Sequence, residues 1–317
     1  MQDSARSGVP LAVEYDDEID LRELFAVLWA GRKLIVAVTS AFAVIAVIVA
    51  LMIPNQYKAT AVIAPAQSGG SSMLGAMASQ FGGLASIAGI DLGGGDGGEA
   101  QEAMEIMQSW GFIEKFIEKN NLAVEVFAAE GWSALNNQLA IDSSLYDSEQ
   151  RQWVRNPPSG KTIAPTSWEL YETFSERLSV SSDKKTGLVS VSVEYYSPLI
   201  ARQWVDLYIV TINEHMRDRK LAQVNRNIEY LEVQIEKTAI AGMREVFYQV
   251  IEEQIKNKML AEASPEYAFT TVSRAMVPEE KSQPKRALIC ILATLLGGML
   301  SVLVVLALHY TRKDSAF

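Results

Sequence analysis

Charged residues recur every few positions along much of this chain, but two strongly apolar stretches contain none. Leu34 to Ile53 (LIVAVTSAFAVIAVIVALMI) is uncharged over 20 positions, and Ala287 to Leu308 (ALICILATLLGGMLSVLVVLAL) over 22. At about 1.5 Å of rise per residue, a helix of either length crosses a hydrocarbon core about 30 Å thick. Amides inside lipid must be hydrogen-bonded within the segment, so both stretches predict helices. A buried helix of a soluble protein rarely stays uncharged beyond about 18 residues. A cleaved signal peptide also fits the first stretch poorly, because its apolar run exceeds the usual 7 to 15 or so. The pattern divides the chain into a tail (1–33), a span (34–53), a large domain (54–286), a second span (287–310) and a short tail (311–317).

Between the spans the hydrophobic period changes repeatedly. Tyr57 to Pro65 (YKATAVIAP) alternates as a strand does. Residues 67–98 are rich in Gly, Ala, Ser and Met, and too poor in large side chains to offset their ordering entropy. They predict a loop, with a short helix near 73–88. Glu99 to Asn120 reads as a helix bent at Gly111, and Pro165 to Leu178 as another. Leu178 to Ser182, a DKKTG turn and Leu188 to Tyr195 read as a β-hairpin with Val and Ser on opposite faces. Pro198 then opens a helical pattern that runs to Thr238 without an internal Gly or Pro. Ile200, Trp204, Leu207 and Thr211 form one stripe, Glu214 and Asp218 interrupt it, and Leu221, Val224, Ile228, Leu231 and Ile235 resume it. Such a helix is about 60 Å long, more than a compact domain of this size covers. It predicts a protruding element whose second stripe packs against another helix or another subunit. A break at Gly242, a further helix from 243 to 261 and a closing strand within 268–277 complete an α+β periplasmic domain with a long protruding helix, flanked by two transmembrane helices.

Charge adds orientation. Arg32 and Lys33 precede the first span, and Arg312 and Lys313 follow the second. Basic flanks favour the cytoplasmic side, and two spans put both termini on one side. The chain carries a net charge of −10, of which the domain between the spans holds −8. An acidic exported domain is a poor partner for nucleic acid. The single cysteine, Cys290, lies in the second span, so no disulfide is available.

Candidate chemistry is sparse. Gly93, Gly95 and Gly98 have the spacing of a dinucleotide-binding loop, but they arise inside a glycine run with no buried strand before them. There is no GxxxxGK[ST] loop and no GxSxG elbow. His215 and His309 have no cysteine partners and no HExxH arrangement, so no metal or other cofactor is expected. Carboxylates such as Glu252-Glu253 and Glu279-Glu280 read as solvated charge. Ala293, Gly297 and Ser301 recur every four residues in the second span, with Thr294 and Gly298 beside them. Small residues on one face let transmembrane helices approach closely, here to the first span, another subunit or another protein. In the N-terminal tail, Leu21, Leu24, Phe25 and Leu28 make one apolar stripe, with Trp29 at the expected interface, as in a short helix lying on the membrane.

Taken in order, these segments resemble the Wzz-type chain-length determinants, the polysaccharide co-polymerases of O-antigen synthesis. The resemblance rests on Asp17-Glu18-Ile19-Asp20-Leu21 with Trp29, and on Gln56-Tyr57-Lys58-Ala59 after the first span. It continues with Ser197-Pro198-Leu199-Ile200-Ala201 after the hairpin, and ends with Pro278 to Pro284-Lys285-Arg286 before Leu296-Gly297-Gly298-Met299-Leu300. The family's membrane-proximal segment has a proline at every third position. Here Lys281 stands between Pro278 and Pro284, which implies a less stiff segment. The resemblance implies a ring-like homo-oligomer in the bacterial inner membrane. Its periplasmic domains would set the modal length of a lipid-linked polysaccharide made by a separate membrane polymerase, with no catalysis of its own. A periplasmic glycan-acting enzyme and an extracytoplasmic sensor or export adaptor are the competing classes. The first lacks a catalytic constellation, and the second lacks cytoplasmic tails long enough for a signalling domain.

Overall fold

The computed structural model describes residues 21–66 and 96–314. The Asp17–Asp20 motif and nearly all of the segment expected to be a loop at 67–98, with its short helix, lie outside the described residues. Along the chain, α1 (Leu21–Ala30) and α2 (Arg32–Met52) precede β1 (Tyr57–Pro65). Next come α3 (Asp96–Gln108), α4 (Trp110–Lys119), α5 (Ala123–Phe127) and four short strands: β2 (Ala129–Ser133), β3 (Gln138–Ile141), β4 (Tyr146–Asp147) and β5 (Gln152–Trp153). Helix α6 (Ser167–Ser175) and the hairpin β6 (Leu178–Ser182) and β7 (Val189–Tyr195) lead into α7 (Pro198–Lys237). Then follow α8 (Ala241–Ala263), β8 (Phe269–Ser273) and α9 (Arg286–Asp314). The chain forms two compact units, one of residues 54–284 and one that joins the two ends of the chain.

In the larger unit a four-stranded sheet has the order β6-β7-β1-β8, antiparallel throughout. Strand alternation makes it two-faced. Val189, Val191, Val193 and Tyr195 of β7 and Ala59, Ala61 and Ile63 of β1 are buried on one face. The other face carries polar groups, where the Thr60 and Ser192 hydroxyls bond across the strands at 2.9 Å. The turn between β6 and β7 closes through Asp183, whose carboxylate accepts from the Lys185 amide at 2.8 Å, and through Gly187 at φ +70.

The buried face is covered by the first half of α7, with α3, α4 and α6 completing the core. Aromatic rings fill it: Tyr195 meets Trp204 at 4.3 Å between centroids, Phe116 meets Tyr208 at 4.8 Å, and Phe174 meets Trp204 at 5.8 Å. Each fully buried large side chain contributes about 1.5–3 kcal/mol relative to exposure. Three buried polar groups tie elements together. Tyr208 donates its hydroxyl proton to the Met107 carbonyl. Tyr195 donates to the Glu125 carbonyl at 2.6 Å. Asn213 donates to the Phe269 carbonyl at 2.9 Å and accepts from the amides of Ala268 and Phe269 at 2.8 Å each, fastening the start of β8 to α7.

The helix expected at 99–120 breaks at Ser109 instead of bending at Gly111. Ser109 is extended, and its hydroxyl accepts from the Phe112 amide as an N-cap, so the second helix starts before the glycine. Helix α6 begins at a capping box: the Thr166 hydroxyl and the Glu169 carboxylate satisfy each other's backbone amides.

Candidate functional site

Helix α7 starts at a cap written in the sequence. The Ser197 hydroxyl accepts from the Ile200 amide, and Pro198 occupies the first turn, where its missing N–H costs nothing. Its first half buries Ala201, Trp204, Val205, Tyr208 and Ile212. The helix stops at Thr238, which is extended. Arg244 Nε donates to the Thr238 carbonyl at 2.7 Å, and after three residues α8 begins and packs back along α7 as a helical hairpin.

The stripe expected to continue from Trp204 through Ile235 does not stay on one face. At about 100° per residue, the 20 positions from Trp204 to Val224 turn the side chain by about 160°. The first half of α7 therefore faces the sheet, and the second half presents a nearly opposite face. Of the expected packing residues, Val224 is 1% exposed, while Leu221, Ile228, Leu231 and Ile235 are half-buried. Phe247, Val250, Ile251 and Ala261 form the inner side of α8. Tyr230 and Val233 of α7 and Tyr248, Ile255, Met259 and Leu260 of α8 remain exposed. Three surface ion pairs stitch α7 to α3 and α4: Lys119 with Glu214, Arg219 with Glu102 at 2.5 Å and Lys220 with Glu99 at 3.5 Å. Exposed pairs of this kind each contribute about 0–1 kcal/mol. Where α4 crosses α7, the His215 ring stands edge-on to Phe112 at 5.5 Å. Burial, then Lys115 and Arg219, push its pKa below the ordinary imidazole value, against the opposing pull of Asp218.

In the smaller unit, the small-residue face of α9 lies against α2. A β-carbon built at Gly297 would sit 2.6 Å from Phe42 Cβ, whereas one at Gly298 would approach nothing nearer than Thr39 Oγ1 at 4.0 Å. Ser301 is fully buried and donates to the Gly298 carbonyl at 2.7 Å, and Ala293 is half-buried. Ala46 and Ala50 are the buried positions of α2, and Gly31 accommodates Val305 of α9. In α1, Phe25 and Trp29 are exposed and stacked, with the Arg32 guanidinium 4.8 Å over the indole.

The membrane-proximal segment places Pro278 half-buried, Pro284 buried and Lys281 exposed. Between the two prolines, Ser282 and Gln283 bind the backbone of Gln56. The Gln56 carbonyl accepts from the Ser282 amide at 2.8 Å, and its amide donates to Gln283 at 2.9 Å. The two ends of the 54–284 unit are thereby joined at one bridge.

Sequence reasoning missed the region 123–163. There Arg155 is buried, donates to both Glu169 oxygens (3.0 and 2.8 Å) and to three backbone carbonyls, and stacks on Phe127. Arg155, with Lys161 beside it, holds the Glu169 carboxyl far below the usual carboxylate range. The Thr166-x-x-Glu169 spacing was the one readable signal. Among the described residues no group of three or more His, Cys, Asp or Glu side chains is placed to hold a metal. Gly98 falls inside α3 and meets open space, and Gly93 and Gly95 lie outside the described residues.

Residues 17–120, which include α2 and β1, match the Wzz family model, described as chain length determinant protein. Over those residues the chain is similar to the Wzz-type proteins. Residues 237–310, from the turn after α7 through β8 into α9, match a second model, the G-rich domain on putative tyrosine kinase. Ferric enterobactin transport protein FepE of Escherichia coli K12 is similar to this chain at 23% identity, over 96% of this chain and 94% of that protein. Two solved structures are also similar. One is a full-length bacterial polysaccharide co-polymerase, 17% identical, covering 95% of this chain and all of that one at a TM-score of 0.39. The other is a fragment of WzzB, a polysaccharide co-polymerase from Salmonella Typhimurium, 13% identical, covering 72% of this chain and all of that one at a TM-score of 0.30. Two helical segments, Arg32–Met52 and Arg286–His309, are each long and apolar enough to cross a membrane.

Proposed function

We propose that this is a Wzz-type protein of the inner membrane with a large periplasmic domain, and that it sets the modal chain length of a surface polysaccharide, the O-antigen of lipopolysaccharide, made by a separate membrane polymerase, without catalysis of its own. The observation that carries the reading is the chain-length-determinant match across the first apolar helix, β1 and helices α3 and α4. A ring-like homo-oligomer contacting the polymerase and the growing lipid-linked chain is the working form, with both termini in the cytoplasm. Two features support it. The α7–α8 hairpin exposes aromatic and aliphatic side chains that a lone monomer gains nothing by displaying. The α2–α9 contact leaves the opposite faces of both apolar helices free for lipid or for neighbouring subunits.

Deletion of the gene tests the function. Polymer should still be made, with its modal band gone from a polysaccharide gel. Unpolymerised units alone would indicate an elongating catalyst, and longer chains a hydrolase. The name of the FepE relative favours a second reading, transport; loss of ferric enterobactin uptake with an intact modal band would select it. Orientation is tested by cysteines at Ser159 and Ser315, of which only the first should react with an impermeant thiol reagent. Span packing is tested by two single changes. Gly297→Leu should loosen the α2–α9 contact, because its side chain would overlap Phe42, while Gly298→Leu should be tolerated far better. Equal crosslinking between cysteines in α2 and α9 for both variants would contradict that contact.

A further inference from the structure

The 54–284 unit contains a cleft of about 410 Å³ that no step above uses. Its walls are Tyr57, Trp132 and Tyr196, with Asn55 and Ser133 beside them, and the remaining lining residues are proline, glycine and alanine. The volume falls in the range of roughly 300–1,000 Å³ typical of small-molecule sites.

The lining is chemically selective. It includes no Asp, Glu, Lys, Arg or His, so nothing in it would offset the desolvation of an ionic ligand. The Trp132 indole is held in place: Nε1 donates to Asn137 Oδ1 at 2.9 Å, and Tyr57 meets the ring edge-on at 5.9 Å and 82°. With its N–H already used, the indole has only its π surface to offer. Tyr196 is braced by the Arg177 guanidinium, 5.2 Å over its ring. Aromatic faces carry partial negative charge and attract weakly positive C–H groups. Tyrosine and serine hydroxyls can both donate and accept at the margin. A ligand suited to this cleft is uncharged, has one flat C–H face and bears hydroxyls on its rim. A pyranose ring has that shape and polarity. A hydrocarbon tail would leave the polar margin unpaired, and a phosphate or sulfate would find no cation.

We propose that this cleft is a subsite for an uncharged sugar ring of the polysaccharide, stacked on Trp132 and the flanking tyrosines. The identity of the glycan rests on the chain-length reading. Its location gives binding a route into the fold. Tyr57 opens β1 and pairs in register with Tyr195, and Tyr196 adjoins Ser197, the cap of α7.

The test uses the full chain in detergent. The probes are the delipidated polysaccharide released by mild acid from the producing strain, and maltoheptaose. Saturation-transfer NMR should show transfer to sugar ring protons for wild type. The transfer should be roughly tenfold weaker for Trp132→Ala, the size of one lost stacking contact, and largely kept by Trp132→Phe. Circular dichroism and native mass spectrometry of each variant should match wild type. Equal transfer to wild type and Trp132→Ala, or none to wild type from either glycan, overturns the proposal. An altered subunit number in Trp132→Ala also overturns it, since the cleft would then be a contact between copies. The two readings fail separately. A deletion strain that keeps its modal band removes the chain-length function. A strain that loses the band, while the binding result is negative, removes only the cleft.

Discussion

The two halves of α7 share one uninterrupted helix and little else. Between Ala201 and Met216 the helix is a core element, and Trp204, Val205, Tyr208 and Ile212 are all within 2% of full burial. Between Leu221 and Ile235 only Val224 is fully buried, and α8 packs back along the helix. The first half is held from several sides by β1, β7, α4 and α6. The second is held from one side and turns its other faces outward, with Tyr230 and Val233 exposed. Stability should therefore concentrate in the first half, and the second should open at lower cost without unfolding the sheet. A helix of about 60 Å built this way can change its distal surface without refolding its base.

Trp204→Ala is the largest expected perturbation. It removes a side chain packed against Tyr195 and Phe174 and should cost about 3–5 kcal/mol in chemical unfolding of the whole domain. A loss under about 1 kcal/mol would mean the first half is not the core. Asn213→Ala comes next. It strands the amides of Ala268 and Phe269 and the carbonyl of Phe269, at about 1–3 kcal/mol for each buried group left unpaired. The cost should appear as faster hydrogen exchange in β8 before it appears elsewhere, and uniform exchange across the sheet would argue against a local fastening.

Val224→Asp places a charge where the side chain is 1% exposed, in the half of α7 along which α8 packs. Opening the hairpin lets water reach that charge, so the cost should be capped at about 2 kcal/mol and confined to residues 218–263. Hydrogen exchange should rise there and stay constant in β1 and β7, and the polysaccharide length distribution should shift. Global unfolding would erase the contrast between the two halves.

Much of this contrast was legible in the sequence, and the illegible part has a physical reason. The apolar helices, β1, the β6–β7 hairpin and the start of α7 are signalled by local pattern: absence of charge, period-two alternation and a Ser-Pro cap; the break expected at Gly242 falls instead at 238–240, and Gly242 lies inside α8. The change of face along α7 was not read, because a period of three and four can be followed across 20 residues while the true rotation drifts around the helix. The break at Ser109 was missed because a capping hydroxyl decides it, and glycine draws the eye. Strands β2 to β5 are two to five residues long and carry no alternation of their own. They are organised by tertiary contacts such as Tyr146 on Trp153, and by Arg155, whose carboxylate partner lies 14 residues away. The cleft at Trp132 belongs to this same unread region. The small-residue face of α9 was visible as a pattern, but only the structure separates Gly297, pressed on Phe42, from Gly298, which has room.

The smallest expected effect probes the seam between the two halves, where α4 crosses α7 at His215. The ring lies edge-on to Phe112, and burial disfavours its charged form first, followed by Lys115 from α4 and Arg219 from α7, with Asp218 opposing. Its folded pKa is therefore below that of the unfolded chain, about 6.5. Well above that value both states are neutral and stability does not depend on this group. As pH falls through 6.5 the unfolded chain takes up the proton more readily, and stability drops until the folded pKa is passed. Glu169, whose folded carboxyl is depressed, loses its contribution only below the unfolded carboxylate value of 4.5, a separate window. Melting between pH 8 and 5.5 should thus show a small decline that His215→Gln abolishes, with hydrogen exchange rising in α4 and around residues 211–219 and not at the hairpin tip. Added salt should weaken the part due to Lys115 and Arg219 and leave the part due to burial. An identical pH slope in wild type and His215→Gln would show that the seam does not sense protonation, and that the two halves of α7 are joined by packing alone.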